Sequence, residues 1–287
     1  MIPLEDTYLD IIKKAAVGHG LGEKKIAELS QVPITKITDF FNGSFCTPTL
    51  QAIAQILNLD FQSLKAHAEG HSQPPKILPK SLLQYQSTFI YRPNESLSVN
   101  HYLLIDPSKQ TALLFDTGTD ATDTLKYLQS NSLSLSAIFI THQHRDHIWA
   151  LNQFTEAYPK AGIYASKESN DSRYSFNLMK VNKPQKFGSF KIEAYKTTGH
   201  TEDGMSFKVI GLSENVMFVG DALFAHSQGG IYSREAYQEA LIINRSNILS
   251  QSEDTILAPG HGPLSTVGHE KQNNPFYAKS ANELHSP

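Results

Sequence analysis

Apolar residues recur every three or four positions through the first seventy residues, then shift to alternating and continuous runs. Tyr8, Ile11, Ile12 and Ala15 share one helical face, with Gly18 and Gly20 marking the end of that helix. The same spacing predicts helices over Glu23–Leu29, Ile34–Phe41 and Phe61–Ala68. A fourth helix is expected over Thr49–Leu57, with Pro48 in its first turn and Thr47 as its cap. Ser30-Gln31-Val32-Pro33 reads as a turn, because Pro33 cannot continue a helix interior. Residues 70–80, G-H-S-Q-P-P-K-I-L-P-K, hold three prolines and few apolar groups, which predicts an extended linker.

From Leu82 the chain becomes strand-rich. Thr88–Tyr91 and Asn100–Ile105 are expected strands, Asp106-Pro107-Ser108 a turn, and Thr111–Phe115 the returning hairpin partner. Asp116-Thr117-Gly118 closes that strand, and Asp120–Ser130 reads as a helix. Ala137–Ile140 is a short continuous apolar run, which suits a buried strand, and Ile148–Tyr158 follows as an amphipathic helix. Further strands are predicted at Gly162–Ala165, Phe190–Lys196, Met205–Ile210, Val216–Val219 and Thr255–Ala258, with a long helix over Ser233–Ser250. Lys167–Lys183 is polar and irregular, a candidate lid. Two batches of strands, each followed by helices, imply a mixed α/β (α+β) fold, an αββα sandwich. The expected division is a helical unit over 1–70, a linker over 71–81 and a second domain over 82–287.

Composition narrows the class. A chain of 287 residues with 40% hydrophobic content supports a sizeable core. The single cysteine, Cys46, excludes an internal disulfide and any cysteine-based zinc finger, and fits a reducing compartment. No apolar run approaches the ~20 residues that span a bilayer. The opening M-I-P-L-E-D-T lacks the layout of an export signal, so a cytoplasmic protein with no membrane partner is expected. A net charge of -3 offers no global electrostatic case for nucleic acid.

The densest chemistry lies in Thr141–His147, reading T-H-Q-H-R-D-H. Four metal-competent side chains, His142, His144, Asp146 and His147, fall where the apolar strand ends and a loop is expected. Neutral imidazoles and carboxylates suit zinc, iron or manganese. In extended chain His142 and His144 point to the same side, whereas on a helix they would not. Three later segments share one layout, an expected strand ending in a turn that displays a donor. These are T-T-G-H ending at His200, G-D ending at Asp221, and P-G-H-G-P around His261. Singly each is weak, since a lone histidine after a strand is usually a surface residue and Gly-Asp is usually a turn.

Taken together, these segments resemble the metallo-β-lactamase superfamily, and within it the glyoxalase II-like hydrolases, over roughly residues 82–276. The resemblance implies that His142, His144 and His200 hold one divalent metal ion. Asp146, His147 and His261 would hold a second, and Asp221 would bridge the two. Zinc is the first expectation for both cations, with iron or manganese as alternatives. Asp116 matches a supporting position that does not itself bind metal. The implied chemistry is hydrolysis by a water acidified between two cations, with Asp221 and Asp146 as the catalytic carboxylates and Asp146 orienting the nucleophile. The expected substrate is a small ester, thioester or lactone.

Within that family the residues discriminate further. The best-known β-lactamase class uses a cysteine ligand and an arginine where His147 stands, and is exported. Nuclease branches carry long basic insertions absent between Leu82 and Pro287. Persulfide dioxygenases use one iron held by two His and one Asp, an alternative that the second donor set argues against. Homoserine lactonases share the donor set. G-D-A-L-F-A and P-G-H-G-P-L-S-T-V-G-H-E-K-Q-N-N-P-F resemble the compact glyoxalase II-like proteins. Only 26 residues follow His261, so the basic glutathione grip of full-length glyoxalase II is expected to be missing. The usual G-R-T-D stretch is altered to Gln228-Gly229-Gly230-Ile231-Tyr232. His226, Tyr232 and Arg173 are candidate substrate contacts, weighed against ordinary loop and surface roles.

The first seventy residues resemble the Cro/CI repressor-like helix-turn-helix domain, through K-K-I-A-E-L-S-Q-V-P-I-T-K-I-T-D-F-F-N-G and P-T-L-Q-A-I-A-Q-I-L-N-L. That resemblance would place Thr35, Lys36, Thr38 and Asp39 on a groove-facing helix. Against DNA binding, residues 1–75 carry six lysines, eight carboxylates and no arginine. A role in dimerisation, in holding a partner or within the enzyme is the stronger expectation. A DNA-binding regulator that senses a metabolite is the alternative.

Overall fold

The computed structural model describes residues 2–77, 79–106, 108–169 and 171–278. Pro107 of the expected turn and residues 279–287 of the expected second domain lie outside them. The chain opens with five helices: α1 (Tyr8–His19), α2 (Glu23–Ser30), α3 (Ile34–Phe41), α4 (Thr47–Ile56) and α5 (Phe61–Ala68). Thr7 and Asp10 form a reciprocal capping box at the start of α1, and the Asp60 carboxylate caps α5 by accepting from the Ser63 amide (2.8 Å). Helix α4 begins at Thr47 itself, so the expected Thr47 cap is displaced by one residue, and Cys46 makes no capping bond there.

There follow β1 (Leu82–Arg92), β2 (Glu95–Asp106), β3 (Thr111–Phe115), α6 (Thr122–Ser130), β4 (Ser134–Phe139), α7 (Arg145–Ile148), α8 (Leu151–Ala157), β5 (Gly162–Ala165) and β6 (Asn177–Leu178). The rest is β7 (Gln185–Phe187), β8 (Phe190–Lys196), β9 (Met205–Ile210), β10 (Val216–Gly220), α9 (Arg234–Asn247), β11 (Ile256–Pro259), β12 (Ser265–Thr266) and α10 (Val267–Asn273). The expected helix over Ile148–Tyr158 is divided into α7 and α8. The Thr117 amide donates to the His147 carbonyl (2.8 Å) and the Ala150 amide to the Gly118 carbonyl (3.0 Å), which ties the break to the end of β3.

Among the described residues the strands form two six-stranded sheets, ordered β1-β2-β3-β4-β5-β6 and β12-β11-β10-β9-β8-β7. In the first, β1, β2 and β3 pair antiparallel, and β3 through β6 pair parallel. Alternation decides which layer each residue joins. Leu113 and Phe115 of β3, Ala137 and Phe139 of β4, and Val216 and Phe218 of β10 enter the core between the sheets. Ala112, Leu114 and Ile138 face outward against α6 and α8, and Met217 and Val219 face outward against α9. The inter-sheet core is aromatic: the Phe115 and Phe218 rings stack with centroids 3.6 Å apart, and Phe139 stacks on Phe115 at 4.9 Å. Each such buried ring contributes about 1.5–3 kcal/mol. Helices therefore cover both outer faces of a two-sheet sandwich, as the hydrophobic pattern predicts.

The five N-terminal helices pack on that sandwich. Ile11, Ile12, Leu50, Ile53 and Leu64 belong to the same buried cluster as Tyr237, Ile248, Leu257 and Tyr277. Gly18 does not end α1 as its composition suggests. It lies within the helix, and a Cβ there would sit 2.4 Å from Cδ2 of Tyr237 on α9. Gly20 is the actual cap, in the left-handed region at φ 67. The Asp60 amide donates to the Pro275 carbonyl (2.8 Å), and the Ser63 hydroxyl to the Gln272 carbonyl (3.3 Å). Residues 71–81 carry no helix or strand among the described residues. Thr35, Lys36, Thr38 and Asp39 remain exposed on α3. No helix among the described residues is long and apolar enough to cross a membrane.

Candidate metal centre

Four strand ends of the two sheets converge at one edge of the sandwich. The first is the end of β4, where Thr141 turns the chain by donating its amide to Asp116 Oδ1 (2.8 Å) and its hydroxyl to Asp116 Oδ2 (2.8 Å). Asp116, just past β3, holds a left-handed backbone at φ 55. His142 and His144 follow between β4 and α7, with His144 extended at ψ 148, whereas Asp146 and His147 lie on the single turn of α7 rather than in a loop. His200 comes from the turn after β8, Asp221 from the end of β10 and His261 from the turn after β11.

All seven predicted residues meet here. The donor atoms of His142, His144, His200 and Asp221 lie within 4.8 Å of one another, as do those of Asp146, His147 and His261. His144 Nδ1 is 3.2 Å from His142 Nε2 and 3.0 Å from His200 Nε2. Asp221 lies between the groups: Oδ2 is 3.4 Å from both His200 Nε2 and His261 Nε2, and Oδ1 is 3.3 Å from His147 Nε2. His261 Nε2 is 3.4 Å from Asp146 Oδ2. His142, Asp146, His147, Asp221 and His261 are buried, and His144 is exposed, so the cluster opens to solvent on the His144 side.

The outer nitrogens are each engaged. His147 Nδ1 donates to Asp116 Oδ2 (2.9 Å), His261 Nδ1 to the Ser98 carbonyl (2.7 Å) and His200 Nδ1 to the Gly230 carbonyl (2.8 Å). The Thr141 hydroxyl, already donating to Asp116, accepts from His142 Nδ1 (3.1 Å). With Nδ1 engaged outward, these four imidazoles aim Nε2 inward, the atom that binds a cation once it gives up its proton. Gly260 is required by crowding, since a Cβ there would lie 2.2 Å from Asp221 Oδ1 and 2.6 Å from His147 Cε1.

Electrostatics point the same way. Burial works against charge on Asp221, but His261 and His147 outweigh it and hold the carboxyl well below its usual range. Burial and His147 keep His142 well below the ordinary histidine value, so it is neutral. His261 is pushed up to about 10, against burial, by Asp221 and by its bonds to the two carboxylates. The buried carboxylates thus demand positive charge at this point. His147 Nε2 and Asp221 Oδ1 are both buried without a hydrogen-bond partner, although they approach each other. Buried polar atoms left in that state are costly unless something else satisfies them. The donor set, the ring orientations and these unsatisfied atoms fit divalent cations.

Several supporting residues escape a reading of the sequence. Buried Asn100 of β2 shapes the His261 turn by donating Nδ2 to the carbonyls of Pro259 (3.0 Å) and Gly262 (2.8 Å), and the Tyr102 hydroxyl also donates to Pro259 (2.6 Å). Asp203 accepts from the Gln143 amide (3.0 Å) and had no signal at all. Of the three candidate substrate contacts, none joins the cluster. His226 is buried and its Nε2 lies 2.6 Å from His269 Nε2, Arg173 is paired with Asp171, and Tyr232 is 85% exposed.

Comparison with known proteins places this arrangement. A profile of the Metallo-beta-lactamase superfamily matches residues 96–261, more than half of the chain. A protein of Streptococcus pyogenes named a probable metallo-hydrolase is 28% identical over 207 residues, covering 64% of this chain and 88% of its own. A hydroxyacylglutathione hydrolase of Haemophilus influenzae is 27% identical over 209 residues, covering 64% of this chain and 95% of its own. The crystal structure of the BLEG-1 B3 metallo-beta-lactamase superposes with a TM-score of 0.55 at 26% identity, covering 69% of this chain and all (100%) of the other. The ETHE1 structure from Myxococcus xanthus, at 23% identity and a TM-score of 0.54, shares the fold.

Proposed function

Because the chain belongs to the metallo-β-lactamase superfamily, we propose that it is a dinuclear metal-dependent hydrolase acting on a small ester, thioester or lactone. The observation that carries this reading is the position of Asp221, whose two oxygens face both donor groups at 3.3–3.4 Å. His142, His144 and His200 would hold one divalent cation and Asp146, His147 and His261 the other, with Asp221 shared between them. Zinc is the first choice for both. When bound, such a pair lowers the pKa of a water and polarises a carbonyl oxygen.

The protein's own groups do the rest. Asp146 orients the attacking water, because its carboxylate lies within the cluster, 3.4 Å from His261 Nε2, and is held in the ionised form despite burial by His261 and His147. Substrate enters past His144, the exposed donor. A thioester is supported by the relative named as a hydroxyacylglutathione hydrolase, which this chain matches along nearly its whole length. The N-terminal helices belong, in this reading, to the enzyme rather than to a DNA-binding regulator, since they share its hydrophobic core and carry few positive charges.

Metal quantification of the purified protein, coupled to a panel of thioesters, lactones and phosphodiesters, tests the proposal. Two cations per chain and thioester or lactone turnover are expected, and Asp221→Ala should lose both. One iron per chain with oxygen consumption on a persulfide would overturn it, as would full activity in Asp221→Ala.

A further inference from the structure

The segment between β10 and α9 sets one of the donors, because the Gly230 carbonyl fixes the ring of His200 (2.8 Å). This segment has no slack against the centre. A Cβ on Gly229 would lie 2.3 Å from the Asp221 carbonyl and 2.8 Å from His200 Nδ1, and the Gly229 amide donates to that same carbonyl (3.0 Å). Any displacement of residues 227–230 is therefore passed to His200.

The segment is gripped from two sides. From the C-terminal side, Asn274 Nδ2 donates to the Ser227 carbonyl (2.9 Å) and the Tyr277 hydroxyl donates to Gln228 Oε1. From the N-terminal helical unit comes the charged half of the grip. Lys14 of α1 donates Nζ to the Gln228 carbonyl (2.9 Å) and pairs with Asp6 Oδ2 (2.5 Å). Asp6 Oδ2 also accepts from the Ser227 hydroxyl (2.5 Å), and the Asp6 carbonyl accepts from His67 Nε2 (2.9 Å). The Lys14 and Asp6 side chains are only 20% and 9% exposed, so water is a poor substitute for either partner. Lys14 Nζ also sits 5.0 Å from the centroid of Phe224, whose ring lies edge-on to His261.

We infer that Lys14 and Asp6 are positioning residues for His200, making the N-terminal helical unit a structural part of the metal centre. This rests on His200 being a ligand, as proposed above. Lys14→Met leaves the Gln228 carbonyl without its Lys14 donor and the largely buried Asp6 carboxylate without its counter-charge, and frees the loop that aims His200. A group bonded directly to a ligating histidine, as the Gly230 carbonyl is to His200, typically contributes about 10- to 100-fold in metal affinity, and Lys14 and Asp6 hold the loop that carries it.

The test is a Co(II) titration of the metal-stripped full chain, followed by visible absorption, which reports ligand geometry independently of turnover. Lys14→Met and Asp6→Asn should each weaken one equivalent by about tenfold or more and alter its spectrum, leaving the other equivalent within a few-fold. Lys14→Arg, which keeps charge and donors, should recover most of the loss. Ser63→Ala, which removes a docking bond remote from the loop, should match wild type in both equivalents. Wild-type titration by Lys14→Met would overturn the inference, and so would an equal loss of both equivalents shared by Ser63→Ala. His200→Ala is the separate arm: if it retains both equivalents, the ligand assignment itself fails, whatever Lys14 does.

Discussion

His147 Nδ1 lies 2.9 Å from Asp116 Oδ2, and the same carboxylate accepts two bonds from Thr141. One side chain at the end of β3 thus fixes both the turn that launches the histidine motif and the tautomer of its last member. Asp116→Ala should weaken the cation on the Asp146, His147 and His261 side about 10- to 100-fold. Stepwise metal titration checks this, and unchanged affinity for both cations would remove Asp116 from the centre.

Gly260 admits no side chain. Gly260→Ala would drive its Cβ onto Asp221 Oδ1 and His147 Cε1, at 2.2 and 2.6 Å, so the two groups that must stay in place are pushed apart. Loss of one or both cations is expected while the far-ultraviolet dichroism stays that of the folded chain. Overpacking of this kind costs about 1–3 kcal/mol, which a domain of this size survives. Gly260→Ala with both cations bound would show that the turn can yield.

Docking of the helical unit depends on Gly18. A methyl at that position meets the Tyr237 ring at 2.4 Å, and Tyr237 is buried in the shared core. Gly18→Ala should lower stability to thermal unfolding by about 1–3 kcal/mol, despite the better helix propensity of alanine. A rise in melting temperature would mean that α1 and α9 are less closely apposed than described.

Glu270 gives a pH dependence with a definite sign. Its carboxyl is fully buried and raised from 4.5 to about 7 by burial, against bonds from Ser265, Asn274 and the His226 amide. Below about pH 4.5 both folded and unfolded chains hold the proton, and Glu270 contributes no difference. Between about 4.5 and 7 only the unfolded chain ionises, so stability falls as pH rises through that window and levels off above it. The total is of order 3 kcal/mol. Urea midpoints at pH 5 and pH 8, compared between wild type and Glu270→Gln, should show this fall only in wild type. Equal slopes in both would assign the pH dependence to other groups.

Much of the fold could be read from local pattern. The apolar run Val216–Val219 was expected to be a strand, and the structure makes it one, burying Val216 and Phe218 in one layer and Met217 and Val219 in the other. Three-to-four spacing located α3 and α5 to the residue. It failed at Gly18, because a glycine's local meaning is a helix end and its actual use, contact with Tyr237, involves a residue more than two hundred positions away. It failed again at Ile148–Tyr158, where bonds to Thr117 and Gly118 divide the expected helix.

The candidate donors themselves were legible in the sequence alone. Four lie in one hexapeptide, and each of the other three follows a glycine at a strand end, because a crowded donor cluster needs backbone that can come close. What only the tertiary structure decided is how those donors are held. Asp116, Ser98 and Gly230 set the ring nitrogens, and Lys14 with Asp6 reaches the Gly230 loop from a helix that composition had assigned to a separate unit beyond a proline-rich linker. Local periodicity records that a face is buried. Which distant surface buries it, and which carbonyl receives a proton there, depends on contacts between residues far apart in the chain, and those form only when the layers assemble.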